Sequence, residues 1–240
     1  MNRKPFHFKQ FSIHHDRCAM KIGTDGVLLG AWTPLHDAKH ILDVGTGTGV
    51  IAIMLAQRSL VNVAIDAIEI DQAAYDQAVE NINDCKWKDQ ITVVYSSLQD
   101  YNKLQTKKYD LIVSNPPFFL QGSKPLGENR KQARHTDTLS HDDVIRCSKT
   151  LLKETGSLSI ILPFDEGNNF VVTAEKLGLF CQHYVAVKPK IGKPVERLLL
   201  SFSKSRAVEM IKEKLTIQYE QRNDYTPEYI ALTKEFYTIM

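Results

Sequence analysis

His40-Ile41-Leu42-Asp43-Val44-Gly45-Thr46-Gly47-Thr48-Gly49, followed by Val50-Ile51-Ala52-Ile53-Met54-Leu55-Ala56-Gln57, is the stretch on which the fold turns. The first part reads as a buried strand, the glycines as a turn, and the apolar run after them as a helix packed on a sheet. Val63 to Ile70 reads as a second strand, and Asp71 can cap a helix to about Asp84 with Ala74, Ala78, Val79 and Ile82 on one face. Ile91 to Tyr95 and Tyr109 to Ser114 follow as third and fourth strands. Strands alternating with helices predict an α/β fold built on a doubly wound, mostly parallel sheet.

The remaining elements extend that pattern. Phe119 to Leu139 is long, polar and basic, and reads as a functional loop. Ser140-His141-Asp142-Asp143 carries a capping pattern for a helix to Leu152, with Asp143 in place of the usual Glu or Gln. Gly156 to Pro163 is a fifth strand, Phe164 to Leu177 a helix closed by Gly178, and Leu179 to Val187 a sixth strand. Lys188-Pro189-Lys190-Ile191-Gly192-Lys193-Pro194 reads as a basic loop before a seventh strand, Arg197 to Phe202. That short connection predicts an antiparallel hairpin at the edge of a seven-stranded sheet. The tail adds a short strand near Leu215-Thr216-Ile217 and a helix from Thr226 to Phe236.

Ahead of the first strand, residues 6–22 alternate loosely and suggest a short hairpin or extended lead-in. Gly23 to Trp32 reads as a short helix closed by Pro34. Residues 1–34 are therefore taken as a lead-in to the same domain, and 35–240 as the domain with its C-terminal strand and helix extension.

Composition narrows the function classes. With 43% hydrophobic and 24% charged residues the chain can build a full core. It has no apolar run of the roughly 18 residues that a membrane span needs, and its N-terminus lacks a signal-peptide core. Cys18, Cys85, Cys147 and Cys181 are far apart and form no C-x-x-C, which reads as reduced thiols in a cytoplasmic protein. No metal site is evident: the adjacent His14 and His15 lack a third ligand at helical spacing and read as a surface turn. Trp32 and Trp87 read as packing residues. The net charge of +2 is uneven, with +4 over residues 1–21 and +3 over each of 121–134 and 186–197. Such a distribution fits either a phosphate-binding face or three solvated loops.

Gly45, Gly47 and Gly49 let the backbone turn sharply and approach a ligand. Glu69 ends the next strand about twenty residues on, placed for a ribose diol. The dinucleotide pattern needs a third glycine where Val50 stands, and the loop lacks a Walker lysine. An adenosine-bearing cofactor carrying an amino acid, not phosphates, fits better. At the end of the fourth strand stands Asn115-Pro116-Pro117-Phe118. The prolines stop the strand and hold Asn115 Oδ1 and the Pro116 carbonyl as a cup of acceptors beside an aromatic ring. Alone, this is a strand end with a tight turn; beside the glycine loop it suits a planar ring bearing an NH2 group.

Together these motifs resemble the class I S-adenosylmethionine-dependent methyltransferases, with a Rossmann-like fold, that act on planar amines. Lys21 to Trp32, Gln132-Ala133-Arg134-His135-Thr136 and Tyr225-Thr226-Pro227-Glu228-Tyr229 are similar to the bacterial valine-tRNA adenine-N6 methyltransferase family. The resemblance implies S-adenosylmethionine as cofactor and tRNA as substrate, methylated at N6 of the adenine beside the anticodon. It implies Asp43, Gly45, Thr46, Gly47, Gly49, Glu69, Ile70 and Asn115 as cofactor residues. Asn115, Pro116, Pro117 and Phe118 become the catalytic motif. Where the superfamily usually has an Asp for the cofactor's adenine, this chain has Ser96-Ser97-Leu98, so Ser97 or Asp100 is expected to serve, with Leu98 on the ring. Arg134, His135, Lys188, Lys190, Lys193 and Arg197 are the candidate RNA contacts. No obligate protein partner is evident. Ribosomal-RNA guanine-N2 methyltransferases share the Asn-Pro-Pro-Phe motif and are the nearest alternative. An RNA-binding module with a degenerate cofactor pocket is the alternative outside enzymes.

Overall fold

The computed structural model describes residues 4–18, 21–60, 62–116 and 139–239. A two-stranded hairpin, β1 (Phe6–His7) and β2 (Ser12–Ile13), leads into α1 (Thr24–Trp32). Then come β3 (His40–Val44), α2 (Val50–Arg58), β4 (Ala64–Glu69), α3 (Gln72–Asn83), β5 (Ile91–Tyr95), α4 (Leu98–Leu104) and β6 (Tyr109–Ser114). After the undescribed stretch follow α5 (His141–Leu151), β7 (Leu152–Pro163), α6 (Phe164–Leu177), β8 (Phe180–Lys190), β9 (Arg197–Ser203), β10 (Ile211–Gln218) and α7 (Pro227–Thr233).

A strand buried on both faces needs apolar residues at successive positions, and β3 supplies them. Ile41 enters the core on one face of the sheet, while Leu42 and Val44 enter the core on the other. The first core is closed by α1, α2, the end of α3 and α7, the second by α4, α5 and α6. The strand order is β10-β8-β9-β7-β6-β3-β4-β5, with β9 antiparallel to both neighbours and every other pair parallel. The order reverses at β3, which pairs with β4 on one side and β6 on the other. Open α/β sheets bind ligands at such a switch point, beyond the C-terminal strand ends.

The expected class holds, with informative differences. The expected hairpin is β8–β9, and the tail strand extends the sheet beyond it as an eighth strand, β10, parallel to β8. Lys188 and Lys190, expected in a loop, belong to β8, because Thr216 and Gln218 of β10 pair with them. A helix not foreseen from the sequence, α4, fills the connection from β5 to β6. The foreseen caps are present: Asp71 accepts from Ala74 N at 2.8 Å, Ser140 from Asp143 N at 3.1 Å, and Gly178 closes α6 at φ 84°. Trp32 packs 5.2 Å from the His183 ring and Trp87 edge-on to Phe11. The four cysteines are free.

The lead-in is fastened over the glycine turn by one side chain. Asn81 of α3 accepts from His14 N at 2.8 Å and donates to the carbonyls of His14 (2.8 Å) and Thr48 (2.9 Å). His14, expected in a surface turn, is thus half-buried against α3, and Arg17 pairs with Glu80 beside it. Replacing Asn81 with Ala leaves buried backbone groups without partners, at about 1–3 kcal/mol for such a group. Asn81→Ala should therefore lower stability by that order in denaturant unfolding, and raise proteolytic sensitivity of the lead-in first.

Candidate functional site

Four chain segments converge at the switch point. The glycine turn after β3 carries left-handed backbone at Gly45 (φ 69°), Gly47 (φ 56°) and Gly49 (φ 82°). A Cβ added at Gly45 or Gly47 would meet no atom within 4 Å, so these two face open space; one at Gly49 would lie 3.2 Å from Ile82. The turn is held by Gly45 N and Thr46 N, which both donate to the Ile68 carbonyl at 3.0 Å. Glu69 completes the cradle: its Oε2 accepts from Gly47 N at 2.9 Å, and its Oε1 from Ile70 N and Asp71 N at 2.9 and 3.0 Å.

Beneath the turn, Asp43 is fully buried, and its Oδ2 accepts from the Thr46 hydroxyl at 2.6 Å. Its Oδ1 has no hydrogen-bond partner among the described residues. Burial pushes the Asp43 carboxyl up to about 7, and the nearby Glu69 charge adds to the rise against the Thr46 hydrogen bond. Beside Glu69 the lead-in brings Cys18, whose thiol is pushed up to about 11 by burial first and then by Glu69 and Asp71.

A cleft runs from Gly45 past Glu69 to Ile70, Ser97, Leu98 and Leu139. Ile70 is 49% exposed on one side of it, and Leu98 is buried on the other. Two aliphatic side chains across a narrow cleft suit the two faces of a flat ring. Ser97 does not offer its hydroxyl to that cleft. It caps α4, accepting from Asp100 N at 3.0 Å and donating to Asp100 Oδ2 at 2.9 Å. Asp100 accepts from Ser97 and from Lys103 at 2.8 Å and keeps acceptor capacity for a further donor. The first-turn N–H groups of a capped helix keep their donor capacity, so the backbone of Leu98 and Gln99 could serve a ring nitrogen in place of a side chain.

Asn115 follows β6 on the other side of the switch point. Its Oδ1 is buried and has no partner among the described residues. A Cβ built on Gly26 of α1 would lie 4.0 Å from Asn115 Nδ2, so α1 backs the amide. Pro116 is buried next to it. Pro117, Phe118, Arg134 and His135 lie outside the described residues.

Since β8 points the same way as β6 and β7, the end carrying Lys188 and Lys190 opens on the same edge of the sheet as Asn115. Lys193 is exposed in the turn beyond. Arg197 is engaged: its Nε donates to Asp25 Oδ2 at 2.8 Å, tying β9 to the start of α1. Asp25 and Asn81 are the residues at this site whose roles the sequence reading did not assign. Among the described residues no His, Cys, Asp and Glu group could hold a metal ion, and no helix is long and apolar enough to cross a membrane.

The donor set fits an adenosine cofactor with an amino-acid tail. There is a glycine cradle that a Cβ would fill, a carboxylate at the end of β4, an aliphatic slot, and a buried acid beneath. Comparison with known proteins agrees. Residues 22–176 match the methyltransferase small domain family. The tRNA1(Val) (adenine(37)-N6)-methyltransferase of Trichodesmium erythraeum is 50% identical, over 99% of each chain. The protein of the same name from Flavobacterium johnsoniae is 44% identical, over 98% of this chain and all of that one. A structure from Agrobacterium tumefaciens described as a predicted O-methyltransferase superposes with a TM-score of 0.70 at 16% identity, covering 88% of this chain and 96% of that one. The precorrin-6y C5,15-methyltransferase of Geobacter metallireducens gives 0.53 at 17%, covering 78% and 93%. At those identities the two structures speak for the fold alone.

Two measurements probe the cradle. An unfolded Asp ionises near pH 3.9, whereas folded Asp43 keeps its proton to about pH 7. Its raised value means that its contribution to stability is whole below about pH 4 and is lost as pH rises through about 7. The cofactor-free protein should therefore melt lower at about pH 8 than at about pH 5, and Asp43→Asn should flatten that fall. Gly47→Ala should cost about 1–2 kcal/mol for left-handed backbone. Its methyl would also enter the cradle, so cofactor affinity in calorimetric titration should drop on the order of tenfold or more.

Proposed function

The chain belongs to the methyltransferase small domain family and to the tRNA1(Val) (adenine(37)-N6)-methyltransferases within it, and from that premise we propose that it methylates N6 of adenine 37 in a valine tRNA. Its cofactor is S-adenosylmethionine, and it works in the cytoplasm, where tRNA is found. The single observation that carries the reading is Asn115 Oδ1: a buried acceptor that has no partner among the described residues, beside the cofactor cradle. Leaving such an atom unpaired costs about 1–3 kcal/mol, which an incoming N–H donor would relieve.

S-adenosylmethionine, when bound, supplies a methyl group on a sulfonium, which an amine takes with its lone pair. The residues of the chain make that amine available. The N6 lone pair of adenine is delocalised into the purine, so the free base is a poor nucleophile. Asn115 Oδ1 and the Pro116 carbonyl accept the two amine hydrogens, draw them out of the ring plane and stabilise positive charge growing on nitrogen. Phe118 is assigned to the face of the splayed-out base, where stacking contributes about 1–3 kcal/mol. Glu69 takes a ribose hydroxyl on the lone pair that its three backbone donors leave free. Asp43 holds the region of the cofactor's amino-acid tail, and Ile70 and Leu98 take the faces of its adenine. Gly45 and Gly47 leave room for the ligand, and Thr46 orients Asp43. Lys188, Lys190 and Lys193 meet phosphates, with Arg134 and His135 as further RNA contacts. Proximity supplies much of the rate, and the product nitrogen releases its extra proton to water after transfer.

The test supplies labelled S-adenosylmethionine with total tRNA and ribosomal RNA from a strain lacking the gene, followed by digestion to nucleosides. Label should appear in N6-methyladenosine from tRNA; label in N2-methylguanosine from ribosomal RNA would overturn the assignment. Asn115→Ala should lower transfer by about 10²-fold or more, while the cofactor dissociation constant stays within about twofold.

A further inference from the structure

Lys190 and Pro189, at the end of β8, form one wall of a trough of about 560 Å3. Its other walls come from distant parts of the chain: Phe6 of β1, Ile22 to Thr24 at the start of α1, and Tyr225, Tyr229 and Tyr237 of the tail. A second hollow of about 330 Å3 shares Gly23, Thr24, Pro189 and Ile217 with the first and runs on to Asp25 and Arg197. The two are continuous through those shared residues and reach Asp25 at the start of α1, the helix whose next residue, Gly26, backs the Asn115 amide. A set of aromatic rings thus lies in a groove that reaches the same helix end as the base site.

The rings are arranged for stacking. Tyr225 lies over Tyr229 with centroids 5.3 Å apart and planes at 29°, and Phe6 meets Tyr237 edge-on at 6.2 Å. Tyr229 is buried, whereas Phe6, Tyr225 and Tyr237 are half-buried. Tyr225 thus has one side covered by Tyr229 and remains partly open to the trough. The charge is equally directed. Lys188, Lys190 and Lys193 stand at this end of the sheet, and Asp25 is offset by Arg197, which leaves Glu196 as the acid on the path. Half-open aromatic rings under a cationic rim match an unpaired nucleobase with its phosphate.

We propose that this trough takes the unpaired nucleotide next to the methylated adenine, its base against Tyr225 and its phosphate on Lys190. The inference rests on the tRNA-adenine reading above and adds a second nucleotide subsite to it. With one base on the Asn115 motif and its neighbour in the trough, the enzyme grips the loop at two points, and the chosen adenine is selected partly by what stands beside it.

The test uses the full chain and full-length tRNA1(Val), intact or with an abasic site on one side or the other of the target adenine. One of the two abasic tRNAs should bind wild-type protein about tenfold more weakly than intact tRNA, and Tyr225→Leu should bind intact tRNA about tenfold more weakly. Combining that abasic tRNA with Tyr225→Leu should cost no more than either change alone, and Tyr225→Phe should bind like wild type. Lys190→Gln should reduce the salt slope of log Kd by about 0.7. Unchanged cofactor affinity and melting temperature separate these effects from misfolding, and the abasic comparison needs no variant. If both abasic tRNAs bind wild-type protein as tightly as intact tRNA, or if the two changes add, the subsite is refuted. If wild-type protein methylates no position of intact tRNA1(Val), the functional reading itself fails, and the subsite falls with it.

Discussion

The site depends on one buried carboxylate. Glu69, 8% exposed, gathers the N–H groups of Gly47, Ile70 and Asp71 and so binds the turn after β3 to the turn after β4. With the hydrogen bonds of Gly45 N and Thr46 N to the Ile68 carbonyl, it fixes the two turns beyond the ends of β3 and β4, where strand pairing stops at Val44 and Glu69. The ligand therefore meets a cradle whose shape is set before binding, and the same carboxylate keeps a lone pair for a hydroxyl donor.

Around this fixed point the molecule leaves selected polar atoms unsatisfied. Asp43 Oδ1 and Asn115 Oδ1 are buried acceptors without partners among the described residues, one on β3 and one just beyond the end of β6. Each costs stability in the empty protein. In the proposed function these are the acceptors set aside for the cofactor's tail and the base amine. The apolar counterpart is Ile70, a half-exposed side chain lining the cleft. At these positions the local rules of folding are broken where a ligand would mend them.

Most of this architecture could be read from the chain. Alternating apolar runs gave the strand and helix order, and glycines at 45, 47 and 49 marked the turn that φ values of 69°, 56° and 82° require. What escaped was local or non-local in identifiable ways. The helix α4 is only seven residues long, too short for a periodic signal, yet Ser97 with Asp100 repeats the capping pattern of Ser140 with Asp143. Reading that pattern would have shown the Ser97 hydroxyl to be spent on the cap. The extension of β8 through Lys190 depends on β10, some twenty residues on, and no residue near Lys188 announces it. The pairing of Arg197 with Asp25 and the three hydrogen bonds of Asn81 join residues far apart in sequence, beyond any window on periodicity.

The topology also decides what the uneven charge means. A basic loop at the opposite edge of the sheet would have been solvated surface and nothing more. Because β9 runs antiparallel between β7 and β8, the chain reaches Lys188, Lys190 and Lys193 on the same edge as the glycine turn and Asn115. The antiparallel strand β9 thus turns a cluster in sequence into a cluster at the site. Of the cations there, Arg197 is drawn into the scaffold by Asp25 and Lys190 Nζ reaches the Glu220 carbonyl at 3.5 Å, and the lysines, flexible and strongly hydrated, are the cations proposed to meet a polyanion. A phosphate backbone arriving at that edge is attracted without being read in sequence. Discrimination must then come from the bases, and the groove from Asp25 to Tyr225 is where the chain offers them flat, partly open surfaces.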